Sequence, residues 1–163
     1  MDDKRVEKNY SAALEVRDLL ETRNHAIEDI SENRMWATYT ITSTLRHNNC
    51  DFEFKIKLCR EQNYGTISVT GLQSIPPHRY HFCLELLNQK NQQNEHEKYS
   101  INPITFQIIA SDVITFWDGE IDSGCFTDSI LISYDALLIG LQNILSVINN
   151  TCSPDKLLTR PSK

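Results

Sequence analysis

The sequence predicts an α+β fold, an antiparallel sheet of about five strands with three helices, in the order α-β-β-β-α-β-β-α. Three observations lead to this prediction. Apolar residues recur with helical spacing near both ends of the chain and once in its middle. Two stretches between these helices alternate between apolar and polar residues, as half-buried strands do. The turn signals between strands are short, which favours antiparallel neighbours.

Size and composition indicate one globular domain. A chain of 163 residues, 40% of them hydrophobic, is long enough to bury a single core. No repeat or linker divides it, so we expect one domain over residues 1–150 and a polar tail, residues 151–163, that frays. The net charge of −6 opposes contact with a phosphate backbone, so no nucleic-acid partner is expected.

The amino terminus and the cysteines indicate a cytoplasmic protein. Residues 1–10 are charged and no apolar segment follows them, unlike a signal peptide. No apolar run looks long enough to span a bilayer, so we expect no membrane insertion. The five cysteines are odd in number and form no CxxC pair, which predicts reduced, space-filling thiols.

The first predicted element is an amphipathic helix from residue 6 to about residue 30. Thr22–His25 could interrupt it, so a continuous helix and a helix followed by a short turn both remain open. The apolar positions that carry the helical spacing are Val6, Tyr10, Ala13, Val16, Leu20, Ile27 and Ile30.

Three strands follow, separated by turn signals. Residues 35–45 alternate with a threonine-rich face, residues 52–59 form the clearest strand, and a third strand covers residues 67–71. The turns are His47–Cys50 and Gln62–Gly65. In the clearest strand, Phe52, Phe54, Ile56 and Leu58 are expected to face the core, and Glu53, Lys55 and Lys57 to face out.

The middle of the chain predicts a helix and two further strands. Pro76 and Pro77 suit a helix start, and the helix is expected to end in a polar surface loop, Asn88–Lys98. Residues 99–109 and 113–117 are strand-like, with Pro103 either demoting or dividing the first. The expected apolar face of the helix is Tyr80, Cys83, Leu84 and Leu87.

A closing helix is the clearest helical signal in the sequence. Ser133 is expected to cap it. Its apolar stripe is Leu137, Leu138, Leu141, Ile144, Leu145 and Ile148.

The acidic segment Phe116–Gly124, FWDGEIDSG, resembles an ion-binding loop but is better explained as a turn. Asp118, Glu120 and Asp122 suit a calcium loop, yet serines stand where such a loop needs a glycine and a bidentate glutamate. The Asp118-Gly119 pair favours a tight hairpin turn. An additional hairpin within Ser111–Ile130 is therefore one alternative, and the strand count stays open there.

No stretch carries a catalytic or cofactor signature. His78 and His81 could share a metal on one helix face with Cys83 nearby, but no further ligand pair completes a site. None of the cysteines has a nucleophile signature, and no phosphate-binding glycine loop is present. We therefore expect no enzyme, no cofactor and no metal.

The element order resembles the type III secretion chaperone-like superfamily, which includes the YbjN-type proteins. The segments Leu84–Asn102, LELLNQKNQQNEHEKYSIN, and Leu131–Asn149, LISYDALLIGLQNILSVIN, are similar to that family's middle and closing helices. The resemblance implies a bacterial, cytoplasmic, chaperone-like or regulatory module that dimerises and holds a protein partner, with no catalytic residues. An immunity or antitoxin-type inhibitor with an acidic surface, and a small enzyme of unknown reaction, are the alternatives.

Residues outside the main apolar stripes suggest where a homodimer forms. A helix on one sheet needs one apolar stripe, so apolar residues beside it require another helix or a second subunit. The four candidates for a partner or dimer surface are Phe82, Leu86, Ile139 and Val147.

Overall fold

In the computed structural model, the described residues form one antiparallel sheet of six strands with three helices. The structure describes residues 3–23, 25–33, 38–59, 64–115 and 123–149. The strand order is β1-β2-β3-β4-β6-β5, which confirms the α+β class with the element order α-β-β-β-β-α-β-β-α. The elements are α1 (Asp3–Thr22), β1 (Ala26–Asn33), β2 (Thr38–His47), β3 (Cys50–Cys59), β4 (Tyr64–Ser74), a 3₁₀ turn (Pro77–Arg79), α2 (Tyr80–Gln93), β5 (Lys98–Ile101), β6 (Gln107–Thr115) and α3 (Ser123–Ile148).

One face of the sheet is apolar and carries α1 and α3. Helix α1 lies against β1 to β3, and α3 lies against β4 and β6. Strand β3 shows the expected alternation, because its four large apolar residues are buried while Lys57 is exposed. The opposite face consists mainly of half-buried polar side chains, among them Thr40, Thr42, Lys55, Thr66 and Ser68.

The turn between β2 and β3 has the backbone that the sequence predicts. Asn48 and Asn49 have φ angles of 49° and 62°, between the paired residues His47 and Cys50. Two consecutive left-handed residues define the hairpin turn that matches the twist of a sheet, and asparagine tolerates this region better than most residues.

The first helix is shorter than predicted, and a strand that the prediction missed follows it. Helix α1 ends at Thr22, and Ile27 and Ile30 belong to β1, where they pack against the core. The alternative of a continuous helix to residue 30 is therefore wrong, and the alternative of an interruption at Thr22–His25 is confirmed for the end of the helix. The pairing of β1 with β2 shifts register between Ile27 and Asp29. That bulge brings two residues three apart onto one face, so the strand imitates helical spacing.

The middle helix is longer than predicted. Helix α2 continues to Gln93, so the prediction of a loop from Asn88 is wrong for its first half. Cys83, Leu86 and Leu87 are buried on the inner side of the helix, and the polar residues after them are exposed except for the half-buried Lys90 and Asn91. Tertiary packing of one face stabilises a helix whose remaining residues are polar.

Pro103 divides the following strand-like stretch rather than demoting it. Strand β5 ends at Ile101 and β6 begins at Gln107, and β6 then continues to Thr115 without a break. The turn between them is held by the Asn102 side chain, which accepts hydrogen bonds from the N–H groups of Ile104 and Thr105.

Helix α3 begins ten residues before the predicted cap. It starts at Ser123, so Ser133 lies inside the helix, and the prediction that Ser133 caps it is wrong. All six residues of the predicted apolar stripe are buried, as are Ile130 and Tyr134. Because Ser123–Ile130 is helical, a strand returning through those residues is also excluded.

Several predicted features lie outside the described residues. They are the start of the strand predicted over residues 35–45, the end of the strand predicted over residues 113–117, the proposed Asp118-Gly119 turn with Glu120 and Asp122, and the tail from residue 151.

Helix α3 also differs from the expectation that no segment is apolar enough to cross a bilayer. By length and composition alone, Asp128–Ile148 would qualify, with a mean hydropathy of 1.6. Its inward stripe forms the centre of the core cluster, and Asp135 on its surface forms an ion pair with Arg23. The core of the sheet thus accounts for the apolar character of this helix.

Candidate functional site

A buried polar network joins α1, β2 and α3. His25 follows α1, and its Nδ1 lies 3.0 Å from the Ser43 hydroxyl oxygen, while its Nε2 lies 2.7 Å from the Tyr134 hydroxyl oxygen. Phe54 stacks on Tyr134 with the ring centres 4.8 Å apart. A serine within hydrogen-bond distance of a histidine is the geometry of an activated nucleophile. Here Ser43 is fully buried and His25 is 6% exposed, so the network is closed to a substrate.

Burial governs the protonation of this network. Desolvation, together with the nearby Arg23 guanidinium, lowers the pKa of His25 from 6.5 to about 4. Burial also raises the pKa of the Tyr134 hydroxyl. Arg23 lies over the Tyr134 ring and binds Asp135 at 2.7 Å, so its charge is compensated on the surface. We interpret the network as a neutral, structural element of the core.

A different site lies where β6 ends beside α3. A cavity of about 380 Å³, which we call the end groove, is bounded by His96–Glu97, by Asp112–Thr115 of β6, and by the Ser129–Ala136 segment of α3. Two large apolar residues are exposed at it, Val113 at 58% on the sheet face away from α3 and Ile132 at 71% on α3. Exposed apolar groups at the end of a strand are typical of a binding surface.

The end groove contains an open edge of the sheet. Strand β5 pairs with β6 only as far as Lys98 and Ser111, whereas β4 pairs with β6 to Thr115. Among the described residues, no strand pairs with Asp112–Thr115 on the β5 side. Unpaired strand edges of this kind accept an additional strand from another chain.

The other part of this edge is blocked by a side chain of α2. The Asn91 carboxamide accepts from the Tyr99 N–H at 2.7 Å and donates to the Tyr99 carbonyl at 2.8 Å. It thus replaces both hydrogen bonds that a further strand would make with Tyr99. Gly140 lets α3 approach β5, since a Cβ there would collide with the Tyr99 hydroxyl. The blocked and the open parts of the edge meet at the start of β5.

Among the described residues, two carboxylates line the end groove, and no lysine or arginine does. Asp112 accepts one hydrogen bond from the Ser133 hydroxyl at 2.7 Å and one from the Val113 N–H at 2.8 Å. Glu97 accepts from the Tyr99 hydroxyl at 2.5 Å and from Asn94 at 3.2 Å. Burial and Glu97 together raise the pKa of Tyr99, so its hydroxyl remains a donor. The groove combines apolar walls with negative charge.

The four predicted partner residues lie in different environments. Leu86 and Val147 are buried at 3% and 2% exposure, so neighbouring elements of the same chain already cover them. Phe82 is partly buried against the core, with Arg79 over its ring. Ile139 is 57% exposed on the outer side of α3. Ile139 and, in part, Phe82 thus remain accessible for contact with another molecule.

The predicted candidates for chemistry do not converge on a site. His78 and His81 are exposed near the start of α2, whereas Cys83 is buried and burial raises the pKa of its thiol to about 11. Within the described ranges, no group of three or more potential metal ligands occurs.

Sequence reasoning missed the residues of the end groove. Val113 was predicted only as the start of a strand, Asp112 fell between two predicted strands, and Ser133 was predicted as a helix cap. The mixed pattern at the end of β6, with a carboxylate on the helix-facing side and a valine on the other, is the one local signal that marks this strand end. Its pairing partners are distant in sequence, so the open edge is visible only in the folded chain.

No protein-family model, curated protein or solved structure matches the chain.

Proposed function

We propose that the chain is a protein-binding module, chaperone-like or regulatory, without a reaction of its own. The observation that carries the proposal is the end groove, where no described strand pairs with Asp112–Thr115 on one side and Val113 and Ile132 are exposed. Such a site offers main-chain hydrogen bonds for affinity and side-chain contacts for specificity. An extended segment of a partner protein fits both features.

The direction of the backbone groups supports this proposal. On the β5 side, the Gln107 carbonyl accepts from the Asn102 N–H. Alternate residues of a strand direct their N–H and C=O groups to the same side. The groups of Val113 and Thr115 therefore point toward the open side, where a partner strand would receive them.

A photo-crosslinking experiment in the native host tests the proposal. A benzoyl-phenylalanine replaces Val113 in one version and Ile104 in another. Ile104 is 85% exposed but lies in the turn between β5 and β6, away from the groove. We expect a crosslinked partner from position 113 only, and a loss of that product when Ile132→Glu is added. Equal products from both positions, or no effect of Ile132→Glu, would contradict the proposal.

An inhibitor of the immunity or antitoxin type is the second candidate. The net charge of −6 and the two carboxylates of the end groove favour a basic partner. An inhibitor would bind a folded toxin one to one, and a short extended peptide from that toxin would not replace it. The crosslinked partner distinguishes the two candidates, since its contact residues lie either on one extended segment or on several separate ones.

Self-association through the outer side of α3 is part of the proposal. Ile139 is 57% exposed on the outer side of α3 and, unlike Ile132, is not among the residues that line the end groove. A two-fold dimer is the commonest way for a soluble chain to cover such a residue. Sedimentation at micromolar concentration should give twice the monomer mass of 18.8 kDa. Ile139→Glu should reduce it without changing the circular dichroism, and Phe82→Glu tests the second accessible candidate. A monomer in the unmutated protein would refute the dimer.

A further inference from the structure

The Asp112 carboxylate accepts two hydrogen bonds at once in the end groove. One carboxylate oxygen is held by Ser133 of α3, and the other accepts the N–H of Val113. That N–H points toward the open side of β6, where an added strand would need it. The carboxylate therefore closes the edge in the free protein, as charged side chains commonly do at sheet edges.

The register of β6 determines which side chains of an added strand meet which groups. Residues directly opposite each other share one face of a sheet. Ile114 is buried on the helix-bearing face, whereas Val113 is exposed on the other face. Because Glu97 directly precedes β5 and lines the groove opposite Asp112, the space for an added segment lies opposite Val113–Thr115.

The central residue of such a segment lies opposite Ile114 on the helix-bearing side. Its stem passes Ile132, and the end of a long side chain reaches diagonally to Asp112, a separation of about 7–8 Å between diagonal neighbours in a sheet. Lysine and arginine have this combination of an apolar stem and a cationic head. A cation there meets two carboxylates, Asp112 and Glu97, with no lysine or arginine among the described residues that line the groove.

We infer that Asp112 both closes the edge of β6 and selects its occupant, an extended partner segment with a lysine or arginine between two β-branched residues. The inference rests on the proposed function. The cation of the segment draws the Asp112 carboxylate from the Val113 N–H, and the segment's carbonyl then accepts that N–H. Ser133 keeps its hydrogen bond to the other oxygen, so the carboxylate rotates away from the Val113 N–H while it remains bonded to Ser133.

Fluorescein-labelled hexapeptides test this selection by fluorescence anisotropy. The probe is Ser-Thr-Val-Lys-Val-Ser, compared with peptides that carry glutamine or glutamate in place of lysine and with the reordered Lys-Thr-Val-Ser-Val-Ser. We expect the lysine peptide to bind about tenfold more tightly than the glutamine peptide, as a charge-assisted contact allows. In the reordered peptide, lysine no longer lies between two β-branched residues, so this peptide should bind no better than the glutamine peptide.

Asp112→Asn is the informative variant. It keeps the shape and an acceptor for Ser133, and it should reduce the preference for lysine to less than about twofold, since only the charge is lost. Asp29→Asn removes the same charge from the opposite edge strand β1, where Asp29 is exposed, and should leave the preference unchanged. The Val113 amide, followed by NMR hydrogen exchange, should become protected when the lysine peptide binds.

The outcomes separate this inference from the proposed function. If all peptides protect the Val113 amide equally, or if Asp112→Asn keeps the full lysine preference, the selection by Asp112 is refuted and the binding groove remains. If no peptide binds while the crosslink at position 113 persists, the inference fails and the groove holds a folded surface instead. If neither peptide nor crosslink is found, both proposals fail.

Discussion

Two consecutive residues of α3 serve polar clusters with opposite exposure. Tyr134 closes the network of His25 and Ser43, in which all three residues are buried. Ser133 binds Asp112 at the rim of the end groove, where both residues are only half-buried. The hydrogen bonds in the two clusters have similar lengths, so their chemistry does not distinguish them.

The two clusters differ in how deeply their polar groups are buried. A polar group enclosed in the core must keep its partner, because losing it leaves a desolvated group with nothing to bind. A polar group at an open rim can exchange its partner for water or for another molecule at little cost. The first cluster is therefore suited to holding the fold, and the second to binding.

The largest effect on stability is expected from removing the Phe54 ring, which packs against the buried network. Phe54 is fully buried, stacks on Tyr134 and meets the His25 ring edge-on at 4.7 Å. Phe54→Ala should lower the free energy of unfolding by about 3–5 kcal/mol, through lost burial and the cavity left behind. Urea denaturation measures it, with Lys57→Ala on the exposed side of β3 as a control. A loss below about 1 kcal/mol would show that this face is not sealed.

The second prediction concerns the stability of the folded chain at acidic pH. Because the pKa of His25 is about 4 in the folded chain and 6.5 as its ordinary value, the unfolded chain binds the extra proton between these values. Stability from the neutral histidine is complete above pH 6.5 and is lost as the pH falls toward 4, by up to about 1.4 kcal/mol per pH unit.

Urea titrations between pH 5 and 7, compared with those of His25→Gln, isolate this contribution. The unmutated protein should lose more stability than the variant as the pH falls. Parallel curves would mean that His25 is not held neutral by its surroundings.

The smallest effects compare the two neighbours on α3 directly. Tyr134→Phe leaves His25 Nε2 without its partner in the core and should lower the free energy of unfolding by about 1–3 kcal/mol. Ser133→Ala removes a hydrogen bond that water can replace and should lower it by less than about 1 kcal/mol. Thermal denaturation of the two variants side by side gives the comparison. Equal losses would show that the rim of the groove is as structural as the core.

Much of the fold could be predicted because most of its elements have a clear local pattern of residues. Strand β3 alternates without exception, the Asn48-Asn49 turn has the residues its backbone needs, and α3 carries a continuous apolar stripe. Strand β1 was missed because its bulge imitates a helix, and the end of α2 because polar residues can continue a helix whose other side is packed. Both errors arise where tertiary contacts override a local pattern.

The sequence by itself determined the class of fold, the core face of the central strands and the apolar stripe of the closing helix, because these depend on the period of the side chains along the chain. Only the tertiary structure decided that β5 stops short of the end of β6, that Asn91 blocks one part of this edge and that Asp112 closes the other. It also decided which apolar residues are accessible, since Leu86 and Val147 are covered while Ile132 and Ile139 are not. These properties depend on contacts between residues distant in sequence, and no local period encodes which strand ends first or which helix face a neighbour covers.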